Sequence, residues 1–207
     1  TVEQCDDDEI NDGKSLFNLT KNESLISSDY ENETFEYYTD SDLNVDSRIT
    51  DPTKFTNEAF NQSIYVKIIT SNNCFITSQI DIKVGASLIA DSFMLSYAVC
   101  DDSPALTQDG IATFSSDILK DIKQKLINSD TKFSAQTIEV SLFENKEDAL
   151  TNKNIINIEN NYTNTTPTNQ AIWASIENTE LSSVECLGLK QVATLYVEPK
   201  PIANAVT

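Results

Sequence analysis

Cys5-Asp6-Asp7 runs on to Asp12-Gly13 and Phe17, and Cys100-Asp101-Asp102 runs on to Asp109-Gly110 and Phe114. Each phenylalanine stands four residues after its glycine. These two stretches open a repeat. Phe55-Thr56-Asn57 in the first half matches Tyr162-Thr163-Asn164 in the second, and Ile64-Tyr65-Val66-Lys67-Ile68 matches Ile172-Trp173-Ala174-Ser175-Ile176. A second cysteine follows in each half, Cys74 and Cys186, and each half closes on an alternating strand, Ile80 to Val84 and Val192 to Val197. The spacing from Cys5 to Cys100 is 95 residues. That is the size of a β-sandwich module and too long for a solenoid repeat.

Short β-branched or aromatic runs bounded by polar turns support an all-β reading: Phe35 to Tyr38, Ile64 to Ile69, Phe75 to Val84 and Ile138 to Phe143. Along Ile80-Asp81-Ile82-Lys83-Val84 the apolar residues fall on one face at period two. One helix is expected, over Ser116 to Ile127, capped by Ser115 or Ser116, with Ile118, Leu119, Ile122 and Leu126 on one face. A shorter counterpart is expected around Asn22 to Ile26. The module boundary falls near Gly85 to Ala90. The expected division is a first module over 1–87, a second over 88–200, and a linker or opening strand of a following module over 201–207. Ile202-Ala203-Asn204-Ala205 resembles Ile89-Ala90-Asp91-Ser92, which precedes Cys100. The chain therefore reads as a window on a longer array.

Composition narrows the function. The 207 residues carry a net charge of −19 and no histidine. Without imidazole there is no Ser-His-Asp or Cys-His nucleophile, and most catalytic zinc sites are excluded. Four glycines leave no material for a phosphate-cradling loop. The acidity repels nucleic acid and suits a self-repelling surface able to hold divalent cations. No apolar run reaches the roughly 18 residues of a membrane span. A glycosidase carboxylate pair lacks aromatic platforms to accompany it. The one tryptophan, Trp173, matches Tyr65 in the other half, and a duplicated strand aromatic reads as core.

Four cysteines in widely spaced pairs, with no Cys-x-x-Cys, read as disulfides made in an oxidising compartment. Pairing within each module is the simple expectation, Cys5 with Cys74 and Cys100 with Cys186. It would close loops of about 70 and 87 residues and stabilise by roughly 4 kcal/mol each. The acidic turns also recur in register. Calcium takes six to eight oxygen ligands from such loops. The expected ligands are Asp6, Asp8, Asp12 and Asp42 in the first module and Asp101, Asp102, Asp109 and Asp148 in the second. The competing reading is an ordinary solvated Asp-Gly turn. Six Asn-x-Ser/Thr sequons, at Asn18, Asn22, Asn32, Asn61, Asn161 and Asn164, are read as products of composition.

Together, the Cys-Asp-Asp turn, the Asp-Gly, the Tyr/Phe-Thr-Asn segment, the second cysteine with its closing strand and the Pro201-Ile202-Ala203-Asn204 linker carry a resemblance. They resemble the tandem modules of very large cell-surface proteins of gliding Bacteroidota, exported by the type IX secretion system. The resemblance implies two tandem immunoglobulin-like antiparallel β-sandwiches, with a short helix in the second. It also implies a non-enzymatic extracellular adhesin used in surface attachment and gliding. The partners it implies are neighbouring modules of the same chain and surface polysaccharide or other cell-surface proteins, without nucleic acid or direct membrane insertion. The alternatives are carbohydrate-binding or accessory domains of a secreted polysaccharide-degrading protein, or a glycosylated eukaryotic receptor ectodomain.

Overall fold

The computed structural model describes residues 1–6, 12–104, 107–135, 137–178 and 185–202. The chain folds as two β-sandwich-like halves of one topology. In the first half, β1 (Val2–Cys5), β3 (Thr34–Tyr38), β5 (Asn61–Ile69) and β6 (Phe75–Gly85) form a sheet in the order β1-β6-β5-β3. Facing it is a two-stranded piece of β2 (Leu16–Phe17) and β4 (Phe55–Thr56). In the second half, β7 (Leu95–Cys100), β9 (Ile138–Phe143), β11 (Asn169–Asn178) and β12 (Glu185–Glu198) form the order β7-β12-β11-β9. There β8 (Thr113–Phe114) pairs with β10 (Tyr162–Thr163). In both halves the first strand lies parallel to the last and every other pairing is antiparallel.

The matched motifs perform matched tasks. Gly13 and Gly110 take φ of +70° and +74°, the left-handed region that an Asp-Gly turn needs and that a Cβ disfavours. The phenylalanines that follow, Phe17 and Phe114, are buried at 2% and 0% exposure. The Phe/Tyr-Thr pairs form β4 and β10, which dock on β2 and β8. The asparagine after each closes the turn. Asn57 Oδ1 accepts from the Ser15 amide at 2.7 Å, and its Nδ2 donates to the Gly13 and Ala59 carbonyls at 2.7 Å each. Asn164 accepts from the Ala112 amide at 2.8 Å and donates to Gly110 and Thr166 at 2.9 and 2.8 Å. A carboxylate could not donate and an aliphatic side chain could do neither. Asn164, one of the sequon asparagines, is therefore committed to the fold interior.

The halves differ in their middles. The expected helix is present as α2 (Ser116–Ile127), whose N-cap Ser115 accepts from the Asp117 amide. Its Leu119, Ile122 and Leu126 are fully buried against the second sheet. The first half has α1 (Glu23–Ile26) there, between 3-10 turns over Leu19–Asn22 and Tyr30–Asn32. Next come α3 (Thr131–Ser134) and, after β9, α4 (Lys146–Thr151). In the first half, a single 3-10 turn over Val45–Ser47 follows β3 instead. The segment between the halves belongs to the second. The Leu88 amide donates to the Leu187 carbonyl at 2.8 Å, and Ile89 is buried in the second core.

Truncating either turn asparagine removes three hydrogen bonds and leaves buried amides and carbonyls unpaired. Asn57→Ala and Asn164→Ala should each cost about 2–4 kcal/mol in urea unfolding. A loss below about 0.5 kcal/mol, within the range of ordinary surface changes, would show that the turn closes without the side chain.

Candidate functional site at the junction of the halves

Cys5, the last residue of β1, is joined to Cys186 of β12, 181 residues away, at a Cα–Cα distance of 5.3 Å. Cys74 and Cys100 are free and exposed. The expected pairing within modules is thus corrected: the one disulfide crosses from half to half. Strand direction explains why. β1 runs parallel to the far end of β6, so Cys5 lies opposite Gly85. Cys74 precedes Phe75 at the other end of that 11-residue strand. At about 3.3 Å per residue the two cysteines stand roughly 35 Å apart, far beyond the ~7 Å a disulfide spans. The second half repeats the arrangement, with Cys100 opposite Glu198 and Cys186 near the start of β12.

The bond lies in a small apolar cluster of its own. Cys5 and Cys186 pack with Phe143, Ala149, Leu150 and Leu189, and Leu16 and Trp173 close over them. Trp173 is therefore not module core. It lies half-buried on the outer face of β11 and covers the junction.

A polar clasp surrounds this cluster, built on α4. Its last carbonyls have no partner within the helix. Side chains of the first half supply them. Gln4 Nε2 donates to the Leu150 carbonyl at 2.8 Å, and Asn18 Nδ2 donates to the Thr151 carbonyl at 2.7 Å. Lys21 Nζ reaches both carboxylate oxygens of Glu177 at 2.6 Å, and Lys54 pairs with Glu147. The crevice lined by Gln4, Lys21, Leu150 and Glu177 has about 20 Å³ of space, room for one water and no ligand. Its chemistry is that of a joint.

The carboxylates expected to hold calcium stand as follows. Asp8 lies outside the described residues. The Asp6 amide donates to the Gly85 carbonyl at 2.7 Å, and Asp12 Oδ1 accepts from the Lys14 amide. Asp42 is exposed on its turn, with its amide bonded to Asp40. Asp101 is buried at 2% exposure and accepts from the Ser103 and Gly110 amides, both at 2.7 Å. Asp102 accepts from the Thr113 amide and Asp109 from the Ile111 amide. Asp148 accepts from Asn145 and Asn154. Among the described residues no group of three or more carboxylates or thiols is arranged to share an ion. The side chains of Asp12, Asp101, Asp102 and Asp109 each tie a turn to nearby backbone amides.

Burial opposes the charge on Asp101, but the Gly110 and Ser103 donors outweigh it and hold the carboxyl below its ordinary value. A carboxylate depressed in the folded state supports the fold above its unfolded pKa of about 3.9 and loses that support as pH falls through the lower folded value.

Residues 1–88 and 96–201 both match the Flavobacterium inter-domain disulphide bond domain, FIDD. The chain belongs to this family and carries two copies of its domain. Membership and the disulfide point to an extracellular or secreted Bacteroidota protein. No helix among the described residues is long and apolar enough to cross a membrane. No curated protein matches the chain. Among solved structures, a surface glycan-binding protein, SGBP-B, from the mixed-linkage glucan utilization locus of Bacteroides ovatus, bound to a mixed-linkage heptasaccharide, overlaps 80% of this chain. The overlap takes in 38% of that protein, at 8% identity and a TM-score of 0.20, too loose to carry an argument about fold or ligand.

Two outcomes test the site. Non-reducing peptide mapping should return Cys5 joined to Cys186, with two thiols reactive in the native protein and four after unfolding in reductant. Cys5→Ser should remove about 5 kcal/mol of stability on the loop-entropy account, lowering Tm by on the order of 10–20 °C. Recovery of a Cys5–Cys74 peptide instead would overturn the junction. For Asp101, the NMR titration of its carboxyl should have a midpoint below ~3.9, and Asp101→Asn should melt lower than wild type at neutral pH. A midpoint at or above that of a free aspartate would mean that the two amides do not hold it.

Proposed function

We propose that the chain is a pair of non-enzymatic, immunoglobulin-like spacer modules from a long extracellular adhesin used in surface attachment and gliding motility. The observation that carries this reading is the path the disulfide gives to a pulling force. Tension entering at the N-terminus passes from residue 5 directly to residue 186. Everything between is bypassed. A disulfide inside each module would have protected the modules one by one and left the joint to stretch. The bond between modules protects both and fixes the joint. That behaviour suits a filament that must hold its length under drag and has no use in a diffusing enzyme. The charge of −19 supports the same reading, since similar sandwiches held side by side risk strand-edge pairing.

Single-molecule pulling from the two termini separates this reading from that of an ordinary two-domain protein. The oxidised chain should show no extension from the 181 bridged residues. Reduced protein, or Cys5→Ser, should gain a total of about 600–650 Å as both halves unfold, at ~3.3–3.6 Å per residue. Two unfolding steps in the oxidised wild type, each near half that length, would sink the proposal.

A further inference from the structure

Two residues of chain separate the place that holds Cys5 from the place that holds Cys186. Cys5 lies opposite Gly85, whose carbonyl takes the Asp6 amide at 2.7 Å. After Ala86 and Ser87 the chain is already fastened to the second half. The Leu88 amide donates to the carbonyl of Leu187, the residue next to Cys186, at 2.8 Å. The Leu189 amide donates back to Ser87 Oγ at 3.2 Å, and Lys190 Nζ pairs with Asp91 at 2.5 Å. From Gly85 to Leu88 even an extended chain spans no more than about 11 Å. The strap over 86–91 thus holds the neighbours of both sulfurs without using either sulfur.

Gly188 makes room for the strap. Ile89 is buried in the second core. A Cβ at position 188 would stand 2.5 Å from Ile89 Cγ1 and 2.8 Å from its Cδ1, closer than carbon atoms pack. Ile89 is hemmed in by that core and cannot give way. The backbone of Gly188 is not among those with positive φ, so it is the close approach of the strap that calls for glycine here. The first half has no such notch. Gly188 stands opposite Ile176, whereas opposite the matching Ile68 stands Ile76.

We propose that the strap and its notch at Gly188 set the joint by themselves, and that the Cys5–Cys186 bond locks an arrangement already made. The reduced protein then keeps its two halves in the same relation, and reduction removes the resistance to pulling without opening the joint at rest. Gly188 is a positioning residue: it touches no sulfur and acts by seating Ile89 two residues from Cys186. A flexible tether would offer one thiol to the other at about millimolar concentration, whereas groups held in place reach values many orders higher. The inference rests on the link between Cys5 and Cys186 but not on an adhesive role.

Trp173 is the one tryptophan of the chain and closes over the sulfur cluster, so its emission reports the joint. Reduced wild type in native buffer should keep the emission maximum and the resistance to acrylamide quenching of the oxidised protein. Titration against glutathione gives the effective concentration of the two thiols. In that exchange Cys5 and Cys186 give up two electrons and two protons, and glutathione disulfide takes them up as two glutathiones. An insertion of about eight Gly and Ser residues between Ala86 and Ser87, a coil of ~15 Å, leaves both cores and the notch intact but frees one half from the other. In that variant Trp173 emission should shift to the red on reduction, and the effective concentration should fall about a hundredfold. Gly188→Ala should lower it too, while Asn164→Ala, which weakens the same half away from the strap, should leave it unchanged. A red shift in reduced wild type, a fall of less than about tenfold on insertion, or equal effects of Gly188→Ala and Asn164→Ala would each overturn the inference. A peptide map in which Cys5–Cys186 is missing would instead count against the link on which it rests.

Discussion

A single covalent bond between residues 181 positions apart decides how the two halves can sit. Its place follows from strand direction. The first strand of each half runs parallel to its last, so the first cysteine emerges beside the exit of the module and the second stays at the opposite end. Within one module the two can never meet. Between consecutive modules they can, provided the exit of one is brought against the hairpin of the next. The rest of the junction serves that approach. The linker is stitched to β12 through Leu88, and α4 offers its unpaired carbonyls to Gln4 and Asn18. The apolar cluster under Trp173 keeps water and reductant from the sulfurs.

The duplication was legible because it is written in residues with narrow geometric duties. An Asp-Gly with φ near +70°, a buried phenylalanine four residues on, and an asparagine that must both accept and donate leave few substitutes, so they survive in both halves. The period-two faces of the long strands and the capped face of α2 were readable for the same reason. The apolar period and the cap directly report the burial that holds those elements.

The pairing of the cysteines was not legible, and the reason is specific. Equal placement in two modules is compatible with bonds inside each module and with bonds between them. Only the direction of the first strand tells these apart, and direction is a long-range property that no local pattern carries. Trp173 misled in the same way. Its match to Tyr65 correctly placed both on equivalent strands, but the alternation that buries Ile172 and Ala174 in the second core turns Trp173 outward. An outward aromatic has value only where another surface covers it. The clasp residues Gln4, Asn18 and Lys21 had no sequence signal at all, because the partners of Gln4 and Asn18 are backbone carbonyls of a helix that the first half lacks, and that of Lys21 is a carboxylate on β11, 156 residues away.

The same asymmetry sets the roles of the two halves, the first donating Cys5 and the second receiving it at Cys186. A junction between identical faces would pair modules two by two and stop. Here the donating end is the terminus of a first strand and the receiving face is the hairpin and outer surface of a later one. The two surfaces stand at opposite ends of one sheet, and neither competes with the other. Force that enters at Cys5 passes to Cys186 and leaves along the rest of β12, while all the strands between are bypassed. Under the load proposed above, the apolar cores of the halves need only the modest stability of ordinary domains, because the covalent bond between the halves carries the tension.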